Sequence, residues 1–293
     1  MKALILGLGY VGTPLAEALA LAGHEVHGVR RHAERDEELT RAGVALFGGD
    51  LTRPDGLDAL DRDYDWVVNC VSSSRGGLDA YRATFLDGAE NLCRWMKEVA
   101  ASRVIFTSSS SVYDQTDGTE VDEESPADGA GETGRILVKA EQRYLAAAKG
   151  STKVSVLRIS GIYGPQRGYL FQKFLRDEAE LTGDLARWLN QVHRDDVVRA
   201  IQTVLEIDSP PDVLNVADCE PVTQEGFFRW LSSRLNRPMP PVAPVPPNRK
   251  RAVTNKRVAN RRLQELLAGP MLYPSFREGY ESELRRMGEN ASS

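Results

Sequence analysis

With 293 residues, 41% of them hydrophobic, the chain can bury a substantial core and exceeds the usual single-domain size, so a large domain with a smaller lobe is expected. Its 37 Lys plus Arg against 42 Asp plus Glu leave a formal net charge of -5. That balance excludes a global attraction to nucleic acid or to an anionic membrane, and neither is expected as a partner.

The opening "MKALILGLGYVG" places a lysine before an apolar run, as a signal peptide does, but glycines break the run and no small-residue cleavage site follows. It reads as a strand. No other apolar run approaches the roughly 20 residues needed to span a bilayer, so a cytoplasmic location is expected. Short apolar or β-branched runs then alternate with helical patterns: "KALIL", "PLAEALALAG", "EVHGV", "VALFGG", "DWVVNCV", "GAENLCRWMKEVA", "RVIFTS" and "VSVLRI". Such alternation implies crossover connections and a parallel sheet, and strands this uniformly apolar imply helices on both faces. The predicted class is α/β, a Rossmann-type doubly wound parallel sheet.

After about residue 160 the pattern becomes irregular, with helical stretches near 170–180, 195–207 and 223–235. The proline-rich "RPMPPVAPVPPN" at 237–248 forbids helix, and we read it as a strut within a smaller C-terminal substrate lobe, since "LQELLAGPMLYPSFREGYESEL" beyond it must bury apolar residues. The expected division is a dinucleotide-binding domain over 1–160, rejoined by about 190–220, and a lobe formed mainly by 161–293. The basic run "NRKRAVTNKRVANRRL" lacks interleaved aromatics and reads as a solvated face. Cys70, Cys93 and Cys219 are too dispersed for a disulfide framework or a zinc site and read as reduced, small core residues; no metal is expected.

Gly7, Gly9 and Gly12 form GxGxxG between the first strand and the helix that follows. In that context the first glycine permits the tight turn, the second lets a pyrophosphate approach the backbone, and the third allows close packing, while the helix N-terminus supplies free N–H groups. The expected cofactor set is Gly7, Gly9, Tyr10, Val11 and Gly12 in this turn, with Leu51, Cys70 and Val71 at the ends of later strands. A carboxylate closing the second strand would bind a ribose 2′-hydroxyl and repel a 2′-phosphate, but here that end reads "HGVRRHAER". Arg30 and Arg31 stand there, which favours NADP over NAD. Asp50 in "GGDLT" either accepts from an adenine amino group or caps the next turn.

Together these residues resemble the extended short-chain dehydrogenase/reductases, the NAD(P)-dependent epimerase/dehydratase family. "GGDLT", "FTSSSSVY", "LRISGIYGP", "HRDDVVRAI" and "NVADCEPVT" carry the likeness through most of the chain. It implies a nucleotide-sugar or carbonyl substrate held between the dinucleotide-binding domain and the C-terminal lobe. It also implies a Ser or Thr beside a YxxxK pair, in which the ammonium lowers a phenol from a pKa of about 10 so that a proton moves with the hydride.

Ser109 matches the serine, or is a small polar turn residue. On the helix, "TGRILVKAEQ" aligns with a family-like "YGRSKLAAEQ", which puts Thr133 at the tyrosine position and Leu137 at the lysine position. Lys139 does not restore the pair, because it lies about 200° round the helix from Leu137, away from the apolar face of Ile136, Leu137, Ala140, Tyr144, Leu145 and Ala148. Phe85 replaces a family asparagine. The substitutes weighed are His193, whose unperturbed pKa suits proton transfer but which also suits a structural role, Tyr113, read as a packed aromatic, and Tyr163, read as a substrate or cofactor wall. Thr133 can still donate to a ligand, and Arg75 either grips a substrate phosphate or is a surface residue. The expectation is an NADP(H)-dependent oxidoreductase or epimerase, with a non-catalytic NADP(H) sensor as the alternative. A homodimer is common in the family, though no residue here argues for one.

Overall fold

The computed structural model describes residues 1–32, 36–73, 76–244 and 254–290. Its first half alternates β1 (Lys2–Leu6), α1 (Gly12–Leu21), β2 (Glu25–Arg30), α2 (Glu37–Arg41), β3 (Val44–Gly48) and β4 (Trp66–Asn69). Helix α3 (Gly77–Arg82) then runs through one π turn, Ala83–Asp87, into α4 (Gly88–Trp95). Next come β5 (Arg103–Ser109), β6 (Glu120–Val121), α5 (Gly131–Ala146) and β7 (Lys153–Ile159). The remainder comprises β8 (Gly161–Tyr163), α6 (Tyr169–Leu175), β9 (Leu181–Thr182), β10 (Trp188–Leu189), β11 (Gln191–His193), α7 (Arg194–Glu206), β12 (Val213–Val216), β13 (Val222–Thr223), α8 (Gln224–Leu235), β14 (Val242–Ala243), β15 (Arg257–Val258), α9 (Arg261–Leu266) and α10 (Phe276–Asn290).

Seven parallel strands form the central sheet in the order β12-β7-β5-β4-β1-β2-β3. The order reverses between β1 and β4, so a crevice opens at their carboxyl ends. Period-two alternation sends Ala3 and Ile5 to one face, against Leu15 and Leu19 of α1 and Val197 and Ile201 of α7. Leu4 and Leu6 go to the other, against Leu92, Trp95, Leu137 and Tyr144. Burial on both faces explains the unbroken apolar runs at residues 3–6 and 66–68.

A third apolar cluster, Tyr163, Phe171, Phe174, Phe227, Phe228, Phe276 and Tyr280, joins α6, α8 and α10. Of the apolar residues past the proline-rich stretch, Phe276 and Tyr280 are buried here, whereas Leu263, Leu267 and Met271 are buried in the first cluster on the central sheet. The helix expected from Gly88 begins earlier, at Gly77, because the π turn carries the chain on without a break. Phe85 lies within that turn, its ring 4.5 Å from Tyr81 and 6.4 Å from Phe106. Among the described residues no helix is long and apolar enough to cross a membrane.

Candidate active site

A cleft of about 400 Å³ opens where the strand order reverses. Gly7, Gly9, Arg30, Arg31, Asp50, Leu51, Cys70 and Val71 all line it, with Ser72, Ser73, Ala83 and Thr84 beyond them. Gly7 has φ +89°, and a Cβ there would fall 2.8 Å from the Val71 backbone nitrogen. A Cβ on Gly12 would fall 2.1 Å from the Gly7 carbonyl oxygen. Gly9 differs: a Cβ there meets nothing within 4 Å. Two of the glycines are therefore demanded by the chain itself, whereas the third keeps an open surface beside the N-terminus of α1, the arrangement a pyrophosphate needs. Val11 packs under the turn against the first core cluster, while the Tyr10 hydroxyl donates to the Pro165 carbonyl at 3.1 Å.

At the end of β2, Arg31 is exposed on the cleft rim, and Arg30 meets Asp36 at 3.3 Å. Asp36 caps α2 by accepting from the Leu39 backbone N–H, which together with Arg30 holds its carboxyl below the usual range. This carboxylate six residues past Arg30 was missed in the sequence reading, although an aspartate directly before "EELT" is an N-cap signal. Asp50 accepts from the Thr52 backbone N–H at 3.0 Å and from its hydroxyl at 2.7 Å, so its turn-capping role is realised at the cleft wall.

Ser109 ends β5, and its Oγ accepts from the Ser111 backbone N–H at 3.2 Å. The start of α5 is knitted to this serine turn: Ala130 N–H donates to Ser111 O at 3.1 Å and Gly129 N–H to Val112 O at 2.9 Å. A Cβ on Gly134 would lie 2.7 Å from Ser111 O. Ser109 and Thr133, a part-buried residue of the first helical turn, are thus carried by directly packed segments. Leu137 is 1% exposed within the core, and Lys139 is exposed. No ammonium stands where the family keeps one on this helix.

Behind the serine turn lies a buried network. Glu141 accepts from the Ser108 hydroxyl at 2.5 Å and from the Arg158 guanidinium at 2.9 and 3.1 Å. Arg158 also donates to the Tyr113 hydroxyl at 3.0 Å, and that hydroxyl donates to Asn215 Oδ1 at 2.8 Å. Desolvation pushes the Tyr113 phenol up despite the guanidinium beside it, so it is a poor proton donor and acts as a packed aromatic. The signal missed in the sequence was a pair of charges in apolar settings: Glu141 lies four residues past Leu137 on the buried face, and Arg158 sits inside "VSVLRI". Buried Lys256 adds a further tie, donating to the Tyr113 carbonyl and the Thr254 hydroxyl at 2.9 Å each, with desolvation lowering its ammonium to about 8.

Three expectations are corrected. His193 is fully buried, and its Nδ1 accepts from the Asp195 backbone N–H to cap α7, while Tyr163 and Tyr273 pack against the ring. This burial and the helix cap match the structural reading of His193. Tyr163 is 1% exposed, stacked 4.4 Å from Tyr280 and bonded to the Ser275 carbonyl at 3.2 Å. It builds the aromatic cluster instead of a substrate wall, because Gly279 leaves it room to sink inward. Cys219 is exposed, unlike the core residue expected. Arg75 lies outside the described residues. Among those described, no group of three His, Cys, Asp or Glu is placed to hold a metal ion.

Comparison with known proteins agrees with this geometry. Protein YeeZ of Escherichia coli (strain K12) is 31% identical over 231 residues, 75% of this chain and 78% of YeeZ. A solved structure described as a putative NAD-dependent epimerase/dehydratase from Methylobacillus flagellatus is 29% identical, with a TM-score of 0.78 and 98% of each chain covered. MoeE5, solved in complex with UDP-glucuronic acid and NAD, shares the fold at a TM-score of 0.79 and 24% identity, covering 98% of this chain and 100% of its own. The model of the NAD dependent epimerase/dehydratase family matches residues 3–217. With a switch-point cleft, a glycine turn its own packing demands and a serine turn docked on α5, the chain belongs to the NAD-dependent epimerase/dehydratase family.

Proposed function

We propose that this family member binds NADP(H) in the switch-point cleft and acts as an oxidoreductase or epimerase on a carbonyl or nucleotide-sugar substrate. The observation that carries the cofactor reading is the rim at the end of β2, where Arg30 and Arg31 line the cleft. Arg31 offers an exposed fork to a 2′-phosphate, and Arg30, held by Asp36, backs it. The dinucleotide, when bound, supplies or accepts hydride. The Ser109 and Thr133 hydroxyls orient the substrate oxygen, and with Leu137 beside them no side chain of α5 tunes a proton donor. Substrate is expected between the serine turn and the C-terminal lobe.

NADPH is expected to raise the melting temperature more than NADH at equal concentration, by preferential binding to the folded state. Equal shifts would remove the arginine argument. Turnover is tested by incubating the protein with NADPH and a panel of sugar nucleotides and aldehydes. Ser109→Ala is expected to lower kcat/KM by about 10- to 100-fold, on the order of one lost transition-state hydrogen bond. Unchanged turnover in that variant removes Ser109 from the chemistry. The second reading, a non-catalytic NADP(H) sensor, is favoured by Thr133 and Leu137 at the acid-base positions. Tight NADPH binding with no turnover on any substrate selects it.

A further inference from the structure

The segment after the proline-rich stretch is stitched to the chain that leaves the serine turn. Strand β15 pairs in parallel with β6, Arg257 beside Glu120 and Val258 beside Val121. Just before it, Asn255 N–H donates to the Gln115 carbonyl at 2.9 Å, and Gly118 N–H donates to the Asn255 carbonyl at 2.9 Å. Asn190 braces the other side, its amide donating to the Lys256 carbonyl at 2.9 Å and accepting from the Val258 N–H at 2.7 Å. With its backbone held on both flanks, Lys256 sends its side chain back to the turn, where Nζ donates to the Tyr113 carbonyl. Tyr113 closes the short helical turn that Ser109 opens, its N–H donating to the Ser110 carbonyl at 3.3 Å.

A buried ammonium is an unfavourable way to hold a carbonyl. Lys256 is 5% exposed, and among the described residues no carboxylate stands within ion-pair distance of its Nζ. The charged groups facing it are Asp114, at the exit of the turn, and Arg187, ahead of β10, whose influences oppose each other. Desolvation outweighs both and brings the ammonium down to about 8. Because that lies below the ordinary 10.5, the unfolded chain binds the proton more tightly than the folded one, and the charge subtracts stability at neutral pH. Stability therefore rises as pH climbs from about 8 to about 10.5. A charge kept to the detriment of the fold marks a position with a task other than stability.

We propose that Lys256 is a positioning residue for the Ser109 hydroxyl: its ammonium pins the Tyr113 carbonyl and so fixes the far end of the serine turn against the C-terminal segment. The inference rests on the reading of Ser109 as a group that orients the substrate oxygen. It adds a residue 143 positions beyond Tyr113 to that task. A charge-assisted hydrogen bond holds the carbonyl more firmly than a neutral donor would. The start of α5 is held with it, since Gly129 and Ala130 N–H groups bond the Val112 and Ser111 carbonyls.

The test compares wild-type protein with Lys256→Met and Lys256→Arg by hydrogen exchange and urea denaturation from about pH 6 to about pH 10.5. Lys256→Met is expected to speed exchange about tenfold in residues 109–113 and at the start of α5, leaving β1 and β4 unchanged. Its urea midpoint at pH 7 should not fall, because losing the buried charge offsets losing the hydrogen bond. In wild type, exchange at the turn, corrected for its intrinsic pH dependence, steps up through about pH 8; Lys256→Arg, cationic throughout, shows no step. On a substrate turned over in the panel of sugar nucleotides and aldehydes, Lys256→Met should lower kcat about tenfold with KM changed less than about twofold, and should add no further loss to Ser109→Ala. Undisturbed exchange at the turn in Lys256→Met overturns the inference, as does a loss of protection spread over the whole sheet or an effect fully additive with Ser109→Ala. Wild-type turnover that Ser109→Ala leaves unchanged overturns instead the reading of Ser109 beneath it. Where wild type turns nothing over, the exchange measurements decide alone whether Lys256 holds the turn.

Discussion

Replacing Glu141 with alanine is expected to destabilise the protein by about 3–5 kcal/mol, the usual consequence of leaving a buried charge without its partner. Glu141 is 3% exposed and accepts from both Arg158 and Ser108, and truncation strands the guanidinium in a site where, among the described residues, only the Tyr113 hydroxyl remains to accept. Urea denaturation followed by circular dichroism measures the loss. Adding Arg158→Met should recover most of it, because the pair's favourable interaction largely offsets its own desolvation and the damage comes from the orphaned charge. A loss under about 1 kcal/mol for the single variant, or no recovery in the double, would show that solvent reaches Arg158. Ser108 precedes Ser109 and is bonded to Glu141, so the same variant should loosen the serine turn.

The second large effect separates two glycines of one motif. Gly12→Ala places a methyl 2.1 Å from the Gly7 carbonyl oxygen, so α1 or the turn must shift, and a stability loss of about 1–3 kcal/mol with weaker NADPH binding is expected. Gly9→Ala places its methyl in open space, so stability should stay within about 0.5 kcal/mol of wild type. NADPH binding should nevertheless fall more than tenfold in that variant, since the methyl occupies the ground that a pyrophosphate covers. Denaturation midpoints and NADPH titrations on both variants decide the matter. A Gly9→Ala protein that binds NADPH as tightly as wild type would falsify the placement of the pyrophosphate on this turn.

Much of the architecture was legible because its signals are local. The glycine spacing, the apolar strands and the helical face of Leu137, Ala140 and Tyr144 each express a backbone period or a steric demand within a few residues. For the same reason the solvated state of Lys139 and the burial of Leu137 could be read in advance. His193 and Tyr163 could not. Their residue types suit catalysis equally well in an exposed and a buried setting, and only the packing of α10 and β11 against β8 decided that both are enclosed. The continuation of α4 back to Gly77 was hidden because a π turn shifts the helical period partway through.

By itself, then, the sequence determined the sheet-and-helix alternation, the glycine turn, and the replacement of the usual acid-base pair by Thr133 and Leu137. Tertiary structure alone decided two further matters: that Glu141 and Arg158 neutralise each other under the serine turn, and that Arg167 reaches the ring of Tyr10. The physical reason is the same in each case. Burial and charge pairing depend on partners distant along the chain, 155 residues apart for Tyr10 and Pro165, and no local period encodes which distant segments the fold brings together.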